Sequence, residues 1–183
     1  MTKRQQDFIT GKLLGDGSLE NRGTANSRLQ IRHSIRQKDY VNWCYQQLRN
    51  LTTSIPKQHK KSYYFRTKSS PVFTKLRQEW YERSKKLLPS NLSLSPYILS
   101  IWYMDDGYYD RRRDSVWLCT HCFTLNELQR LIDALIQLGI HCTKIRDRTH
   151  FKLRVISKDT QKFFNTVRPY IVPSLLYKIG IAP

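Results

Sequence analysis

Residues 9–17 read Ile-Thr-Gly-Lys-Leu-Leu-Gly-Asp-Gly, and residues 99–107 read Leu-Ser-Ile-Trp-Tyr-Met-Asp-Asp-Gly. Each stretch has the apolar spacing of a helix and ends in an aspartate followed by a glycine. Two further segments recur at offsets of 88 and 84 residues, which pairs 65–69 with 153–157 and 88–90 with 172–174. Offsets that differ by only a few residues are expected when the loops of the two copies differ in length. The sequence therefore predicts a twofold internal repeat of one supersecondary unit.

The seam between the two units is predicted in the Pro/Ser/Asn-rich stretch 89–96, so that the first half covers residues 1–92 and the second 93–183. Within each half, the hydrophobic periods predict helix, two strands, helix, two strands, helix. Strands are predicted at 28–36, 63–65, 144–148 and 151–155, and further helices at 38–50, 71–86, 124–138 and 158–168. The predicted fold class is α+β, a pseudo-twofold pair of αββαββα units.

The charge of the chain is strongly positive: 183 residues carry 32 Lys and Arg against 14 Asp and Glu, a net charge of +18. Such a surface is typical of proteins that bind a polyanion, and nucleic acid is the commonest one. No segment approaches the run of about 18 apolar residues that a membrane-spanning helix needs, so no membrane partner is expected. Residues 1–7 lack a signal-peptide core, which predicts the cytoplasm of a prokaryote or an organelle matrix.

Polar and basic side chains alternate with apolar ones along the predicted strands. The apolar face of the strand at 28–36 carries Leu29, Ile31, His33 and Ile35, and its polar face lacks Glu. Arg, Lys and Gln on such a face can pair with base edges in a DNA major groove, and basic loops can contact phosphate. The predicted DNA-binding residues are Arg28, Gln30, Arg32, Ser34, Arg36, Tyr64, Arg66, Lys68, Lys144, Arg146, Arg148, His150, Lys152 and Arg154 on or beside strands, and Arg111, Arg112 and Arg113 in a loop.

Asp16 and Asp106 are the most informative acids, because each ends an apolar helix. The helix dipole repels an anion at a C-terminus, and a carboxylate placed there in a basic protein is well suited to a hard divalent cation. Two such acids related by a pseudo-twofold axis would serve the two strands of a duplex. Phosphodiester hydrolysis needs an activated water and a stabilised leaving oxygen, which one carboxylate-bound Mg²⁺ or Mn²⁺ site per strand can supply.

The two stretches at 9–17 and 99–107 resemble the paired motifs of double-motif LAGLIDADG homing endonucleases, in particular the monomeric group I intron-encoded type of yeast mitochondria. The resemblance covers nearly the whole chain. It implies that the motif helices pack at the centre of a pseudodimer and that two saddle-shaped antiparallel sheets straddle the DNA. It also implies that Asp16 and Asp106 bind metal at the scissile phosphates. Gly15 and Asp105, the residues before them, are added here as further candidates for the metal site.

The family also keeps one basic residue per half near the reacting water. The positions that match it are Lys86 and Lys178, which lie 70 and 72 residues after their respective acids. A lysine there can polarise water and offset developing negative charge. A plain phosphate contact is the alternative for each lysine, and the neighbouring Lys85 makes the first assignment ambiguous.

The motifs depart from the family pattern in ways that predict an asymmetric helix contact. Gly11 and Gly15 leave bare patches on one face of the first helix, whereas Ile101 and Asp105 occupy the equivalent places in the second. Large side chains of one helix are therefore expected over the glycines of the other. Lys12 stands where an apolar residue is usual. Asp105 is interpreted as a helix-end or interface residue.

The function predicted from these observations is that of a monomeric, site-specific endonuclease that cuts both strands of a long DNA target with Mg²⁺ or Mn²⁺. The resemblance further implies short 3′ overhangs and an intron-encoded origin. Two alternatives stay open. An RNA-splicing maturase would act on its own intron RNA, and a catalytically silent DNA-binding regulator would use the same scaffold. The presence of both motif acids argues against the loss of cleavage but does not exclude a dual role.

Overall fold

The computed structural model describes residues 1–21, 23 and 25–181, and its elements run twice through the same order. The first half contains α1 (Lys3–Leu14), β1 (Ser18–Glu20), β2 (Arg28–Ser34), α2 (Lys38–Leu48), β3 (Lys57–His59), β4 (Ser62–Arg66) and α3 (Pro71–Trp80). The second contains α4 (Pro96–Asp106), β7 (Gly107–Asp110), β8 (Ser115–Cys119), α5 (Leu125–Gln137), β9 (Cys142–Asp147), β10 (His150–Val155) and α6 (Thr160–Val167). The predicted αββαββα order is confirmed in both halves.

Helix starts follow the capping chemistry of the sequence. The hydroxyl oxygens of Thr2 and Thr124 accept from backbone N–H groups three residues on, and Gln5 and Glu127 complete a capping box at α1 and α5. The Ser95 hydroxyl caps α4, whose first residue is a proline. Such caps satisfy donors that the first helical turn leaves unpaired.

Each half carries one four-stranded antiparallel sheet. The strand order is β1-β2-β4-β3 in the first sheet and β7-β8-β10-β9 in the second. β1 and β7 begin directly beyond the ends of α1 and α4, so each motif helix leads into the first strand of its sheet. One face of each sheet packs on helices through residues such as Leu29, Ile31 and Leu153, all 0% exposed.

Helices α1 and α4 pack against each other at the centre of the molecule, and the glycines of α1 make this possible. A Cβ atom at Gly11 would lie 2.5 Å from the Ile101 Cβ, and one at Gly15 would lie 2.5 Å from the Asp105 Cβ. Real Cβ atoms do not approach so closely, which means that α4 occupies the space that two glycines leave open. The predicted asymmetric contact is confirmed.

Two predicted boundaries were wrong. The helix predicted at 71–86 ends at Trp80, and the chain then forms a small hairpin of β5 (Tyr81–Glu82) and β6 (Lys85–Lys86). Arg83 in its turn has a φ of +55°, a conformation that a helix cannot contain. The strand predicted at 28–36 ends at Ser34, and a 3₁₀ turn over Ile35–Gln37 removes Arg36 from the sheet.

No helix among the described residues combines the length and the apolar character that crossing a membrane requires.

Candidate metal centre and nucleic-acid interface

The two motif acids lie where the central helices end. Asp16 follows Gly15, the C-cap of α1, and its side chain is 45% exposed. Asp106 is the last residue of α4. Within the described residues, no side chain or backbone N–H donates a hydrogen bond to the Asp106 carboxylate. Both acids therefore keep oxygen atoms free for a further ligand.

The electrostatics of the two acids also favour a cation. Burial, together with the nearby carboxylates Asp16 and Asp105, raises the pKa of Asp106 to about 7. Burial and Asp105 likewise raise the pKa of Asp16. The nearby Lys86 and Lys178 lower both pKa values but do not offset burial and the repulsion between the carboxylates, so a bound cation would stabilise the ionised acids further. Carboxylate oxygens are hard ligands, and this donor set fits Mg²⁺ or Mn²⁺.

Two lysines close the ends of the motif helices in equivalent ways. Lys86 Nζ donates to the carbonyl oxygens of Gly15 and Gly17, at 2.8 and 3.1 Å. Lys178 Nζ donates to the equivalent carbonyls of Asp105 and Gly107, at 3.0 and 2.9 Å, and to Met104. Burial lowers the pKa of both lysines. The structure thus places Lys86, rather than Lys85, at the position that matches Lys178, and their catalytic role stays a prediction.

A buried polar network joins the two halves behind the acids. Lys12 Nζ lies 2.6 Å from Asp105 Oδ1, and both side chains are fully buried. The Tyr40 hydroxyl donates to the same oxygen at 2.8 Å, and the backbone N–H of Asp16 donates to Asp105 Oδ2 at 3.1 Å. Burial lowers the pKa of Lys12, but the neighbouring Asp105, together with Cys44 and Asp16, outweighs burial and the net shift is upward. The Asp105 carboxylate is therefore engaged by three donors of the chain itself.

His33 connects this network to Asp16. Its Nε2 lies 3.0 Å from Lys12 Nζ, and its Nδ1 lies 3.4 Å from Asp16 Oδ2. The Gln37 side chain also hydrogen-bonds the ring. Burial and the Lys12 ammonium lower the pKa of His33 to about 4, so the imidazole is neutral at physiological pH.

His33 and Tyr40 are site residues that the sequence did not reveal. His33 lies on the apolar face of β2, where the alternating pattern predicts a core residue. Tyr40 lies on the apolar face of α2, and its position predicts a core residue in the same way. The available signal was the pair of departures in the motifs. A lysine inside one apolar helix and an acid inside the other are expected to form an ion pair, because a buried charge without a partner is strongly unfavourable.

The exposed face of the first sheet contains most of the binding residues predicted in the first half. Antiparallel partners share a face, and the register pairs Gln30 with Arg66 and Arg32 with Tyr64. Both arginines also approach the Tyr64 ring. Glu20 of β1 lies on the same face and contacts Arg28 and Arg66 at 2.7 and 2.8 Å. The polar face of β2 itself has no Glu, as predicted, and the sheet gains this acid from β1, a strand that was not predicted.

The second sheet requires a correction. Lys144 pairs with Leu153, and Arg146 pairs with Phe151, so these two basic residues share the helix-side face of the sheet. Lys144 Nζ bonds Gln129 of α5 at 2.9 Å. Arg148 lies in the turn between β9 and β10 rather than on a strand.

The opposite face of the second sheet carries Lys152 and Arg154 over an aromatic pair. Tyr108 and Trp117 stack at 6.0 Å between ring centroids. Lys152 Nζ lies 5.8 Å from the Tyr108 ring centre, and Arg154 Cζ lies 5.9 Å from that of Trp117. His150 is exposed on the same strand. Trp117 thus belongs to this polar face and not to the main core.

The remaining predicted residues lie in exposed loops. Arg111, Arg112 and Arg113 form the turn between β7 and β8, and Lys68 follows β4. Arg111 donates to the carbonyl oxygen of Gly180 at 3.1 Å. These positions suit contacts to a phosphate backbone.

The profile of the LAGLIDADG DNA endonuclease family matches residues 6–163. Cytochrome b mRNA maturase bI2 of Debaryomyces hansenii is 30% identical over 200 residues, which span 98% of this chain and 75% of the relative. Probable intron-encoded endonuclease 1 of Wickerhamomyces canadensis is 25% identical over 198 residues, spanning 98% and 85%.

Solved structures show the same fold. The homing endonuclease I-WcaI, bound to its DNA recognition sequence, matches with a TM-score of 0.88 at 24% identity, covering 97% of this chain and 86% of that one. I-DmoI in complex with DNA and Mn matches with a TM-score of 0.63 at 16% identity, covering 92% and 98%. Its DNA complexes have also been solved with Mg and with Ca. The predicted pseudo-twofold α+β architecture is confirmed.

Proposed function

The chain belongs to the LAGLIDADG DNA endonuclease family, and on that premise we propose that it is a monomeric, site-specific homing endonuclease. It hydrolyses both strands of a long DNA target and leaves short 3′ overhangs. One observation carries the proposal: Asp16 and Asp106 lie in equivalent places, at the two helix ends from which the two polar-faced sheets start. The halves 1–92 and 93–183 would then each serve one strand.

The metal would be held by the carboxylates of Asp16 and Asp106, with backbone oxygens at the same helix ends as further candidates. Bound Mg²⁺ or Mn²⁺ supplies Lewis-acid activation of water and neutralises charge on the scissile phosphate. The structures of I-DmoI with DNA and Mg, Mn or Ca support this choice of ion. Asp105 serves the proposal mainly through its buried contacts, because three donors already engage its carboxylate.

Lys86 and Lys178 would bring one positive charge to each reacting phosphate. Both ammonium groups are held by carbonyl oxygens within two residues of an acid, which fixes their position before substrate arrives. A preorganised charge of this kind stabilises a transition state that gains negative charge. The same bonds also offset the negative end of the helix dipole, so each lysine has a structural role beside the proposed catalytic one.

DNA binding would use the exposed faces of the two sheets. Basic side chains with adjacent aromatic rings lie along β2, β4 and β10, and exposed basic loops flank them. Contacts from strands can read base edges, whereas loop arginines position the backbone. An organelle matrix or a prokaryotic cytoplasm is the proposed location, and double-stranded DNA is the proposed partner.

A maturase activity is the second candidate, because a relative 30% identical over nearly the whole chain is a cytochrome b mRNA maturase. This chain would then bind its own intron RNA. The two activities are separable, because cleavage depends on Asp16 and Asp106 and splicing support need not.

Cleavage of a pool of long randomised DNA duplexes in Mg²⁺, followed by sequencing of the ends, tests the proposal. The Asp16→Asn/Asp106→Asn variant serves as the matched control, and Ca²⁺ replaces Mg²⁺ in a parallel binding reaction. We expect recurrent ends with short 3′ overhangs around one long motif, and none with the variant.

Binding of a recovered site without cutting in Mg²⁺ would contradict the proposal and indicate a silent regulator. Stimulation of intron splicing without recurrent DNA ends would instead indicate a maturase alone. Splicing that survives in the double variant, beside cleavage by the wild type, would indicate both activities.

A further inference from the structure

His33 lies between a buried cation and a candidate metal ligand. Its side chain is 2% exposed, its Nε2 faces Lys12 Nζ at 3.0 Å, and its Nδ1 faces Asp16 Oδ2 at 3.4 Å. Lys12 is in turn held by Asp105 at 2.6 Å. The three side chains thus form a line from the interior of the pseudodimer to the first motif acid.

The Lys12 contact determines the proton position on the imidazole. A lysine ammonium has three donors and no acceptor, so the Nε2 atom that faces it must present its lone pair. A neutral histidine with an unprotonated Nε2 carries its proton on Nδ1. That proton points towards the Asp16 carboxylate, with the Gln37 side chain as a second group near the ring.

We propose that His33 is a positioning residue, which donates a hydrogen bond from Nδ1 to Asp16 and so fixes the orientation of this carboxylate for its metal. Lys12 sets the histidine tautomer, and Asp105 holds Lys12 in place. The inference rests on the proposed function of Asp16 and deepens it. Outer partners of metal-binding carboxylates commonly have this role, and their loss lowers metal affinity or activity about 10- to 100-fold.

Among the described residues of the second half, none forms an equivalent of this arrangement. Ser18 pairs with Gln30 in the first sheet, and Tyr108 pairs with Trp117 in the second. The residues three positions further along the chain are His33, on β2, and Thr120, directly after β8. The buried Thr120 hydroxyl donates to the Phe151 carbonyl at 2.8 Å and is engaged there. Asp16 therefore has a neighbouring histidine for which the structure shows no counterpart at Asp106 among the described residues, and a substitution of His33 is expected to impair the cleavage of one strand only.

Direct metal binding by His33 is the competing interpretation, because Asp16, His33 and Asp105 each offer a ligand atom within 4.8 Å of the others. Both ring nitrogens are committed in the proposed arrangement, Nε2 as an acceptor from Lys12 and Nδ1 as a donor to Asp16, with the Gln37 side chain as a second acceptor near that proton. A metal at Nδ1 would require that proton to leave. The two interpretations therefore differ in the protonation of Nδ1.

The first test measures the tautomer of His33 in the metal-free protein by ¹⁵N–¹H NMR of labelled imidazole groups, with the resonance assigned by its loss in His33→Gln. We expect a protonated Nδ1 and an unprotonated Nε2 in the wild type at neutral pH. A protonated Nε2 would overturn the proposal, whatever the cleavage activity is.

The second test follows the two strands of a supercoiled plasmid that carries a site recovered from the randomised pool. His33→Leu removes both hydrogen bonds, whereas the amide of His33→Gln can accept from Lys12 and donate to Asp16. We expect nicking of one strand to slow about tenfold in the Leu variant, to recover largely in the Gln variant, and to stay within twofold of wild type on the other strand. Thr120→Val is the matched control in the second half.

The outcomes separate this inference from the proposed function. Wild-type protein that cuts neither strand contradicts the function itself. Cleavage by the wild type with equal slowing of both strands in His33→Leu overturns the positioning role and indicates a general structural one. If the Gln variant is as slow as the Leu variant, and its cleavage rate falls more in Mn²⁺ than in Mg²⁺, the positioning role is overturned in favour of direct metal binding by His33.

Discussion

Lys12 and Asp105, 93 positions apart in the chain, form an ion pair with 2.6 Å between Nζ and Oδ1, and neither side chain has any exposed surface. The pair crosses the contact between the two central helices. A buried pair of this kind stabilises little relative to an apolar pair, but the loss of one partner leaves a charge without compensation.

Lys12→Met is therefore expected to lower the free energy of unfolding by about 3–5 kcal/mol, measured by urea denaturation at pH 7. The double variant Lys12→Met/Asp105→Asn should recover more than half of that loss. Lys3→Met breaks an exposed pair with Asp7 of 2.7 Å and should change stability by less than about 0.5 kcal/mol. Additive effects of the two single changes at Lys12 and Asp105 would contradict the coupling.

Lys86 and its neighbour Lys85 offer a matched pair for the catalytic proposal. Lys86 is held by the carbonyl oxygens of Gly15 and Gly17, whereas Lys85 is exposed. Lys86→Met should slow single-turnover cleavage about 10²-fold or more, with DNA affinity nearly unchanged. Lys85→Met should cleave within threefold of wild type. Equal rates for the two variants, at equal thermal stability, would remove Lys86 from the mechanism.

The two faces of the second sheet predict different effects on DNA binding. Arg154 lies on the polar face above Trp117, and Lys144 bonds Gln129 on the helix side. Arg154→Ala should weaken binding of the recovered site about tenfold, and should lower the salt dependence by about one counterion if the contact is to phosphate. Lys144→Ala should change affinity less than threefold. Electrophoretic mobility shift in Ca²⁺ at several salt concentrations measures both, and the reverse order would show that the other face binds.

Asp106 should make the metal-free protein less stable as the pH rises. Its pKa is raised from 3.8 to about 7 in the folded state, chiefly by burial. Between these values the folded state keeps a proton that the unfolded state has lost, so the free energy of unfolding falls with increasing pH and levels above about 7. The Asp106→Asn variant has no carboxylate to ionise, so it does not lose stability in this pH range. At pH 8 its free energy of unfolding should exceed that of the wild type by roughly 1–3 kcal/mol. Urea denaturation at pH 4, 6 and 8 without metal tests the difference, which should vanish near pH 4.

The sequence predicted the parts of the molecule in which one physical preference dominates. The strict alternation of β2 placed Arg28, Gln30 and Arg32 on one face, and the apolar motifs with terminal acids located both helix ends. The repeat also supported the correct pairing of Lys86 with Lys178, because both follow their acids at similar distances.

Other features depend on partners that only the fold brings together. β9 is an edge strand with polar residues on both faces, so its sequence does not fix which face Lys144 and Arg146 occupy. The residues of the β5–β6 hairpin continue a helix-like pattern. The positive φ at Arg83 could not be predicted, because glycine is the usual sequence signal for that conformation and none is present there. His33 reads as core until Lys12 and Asp16 lie on either side of it.

The central helix contact also bears on how the two halves fit each other. Two copies of the first half would face Gly11 with Gly11 and bury Lys12 without an acid, whereas two copies of the second would oppose Ile101 with Ile101 and Asp105 with Asp105. A homodimer of either half would therefore lose the complementary contacts that the central helices make in this chain. The glycines and the lysine of one helix match the large side chain and the acid of the other, so each half is shaped to pack against its counterpart rather than against a copy of itself.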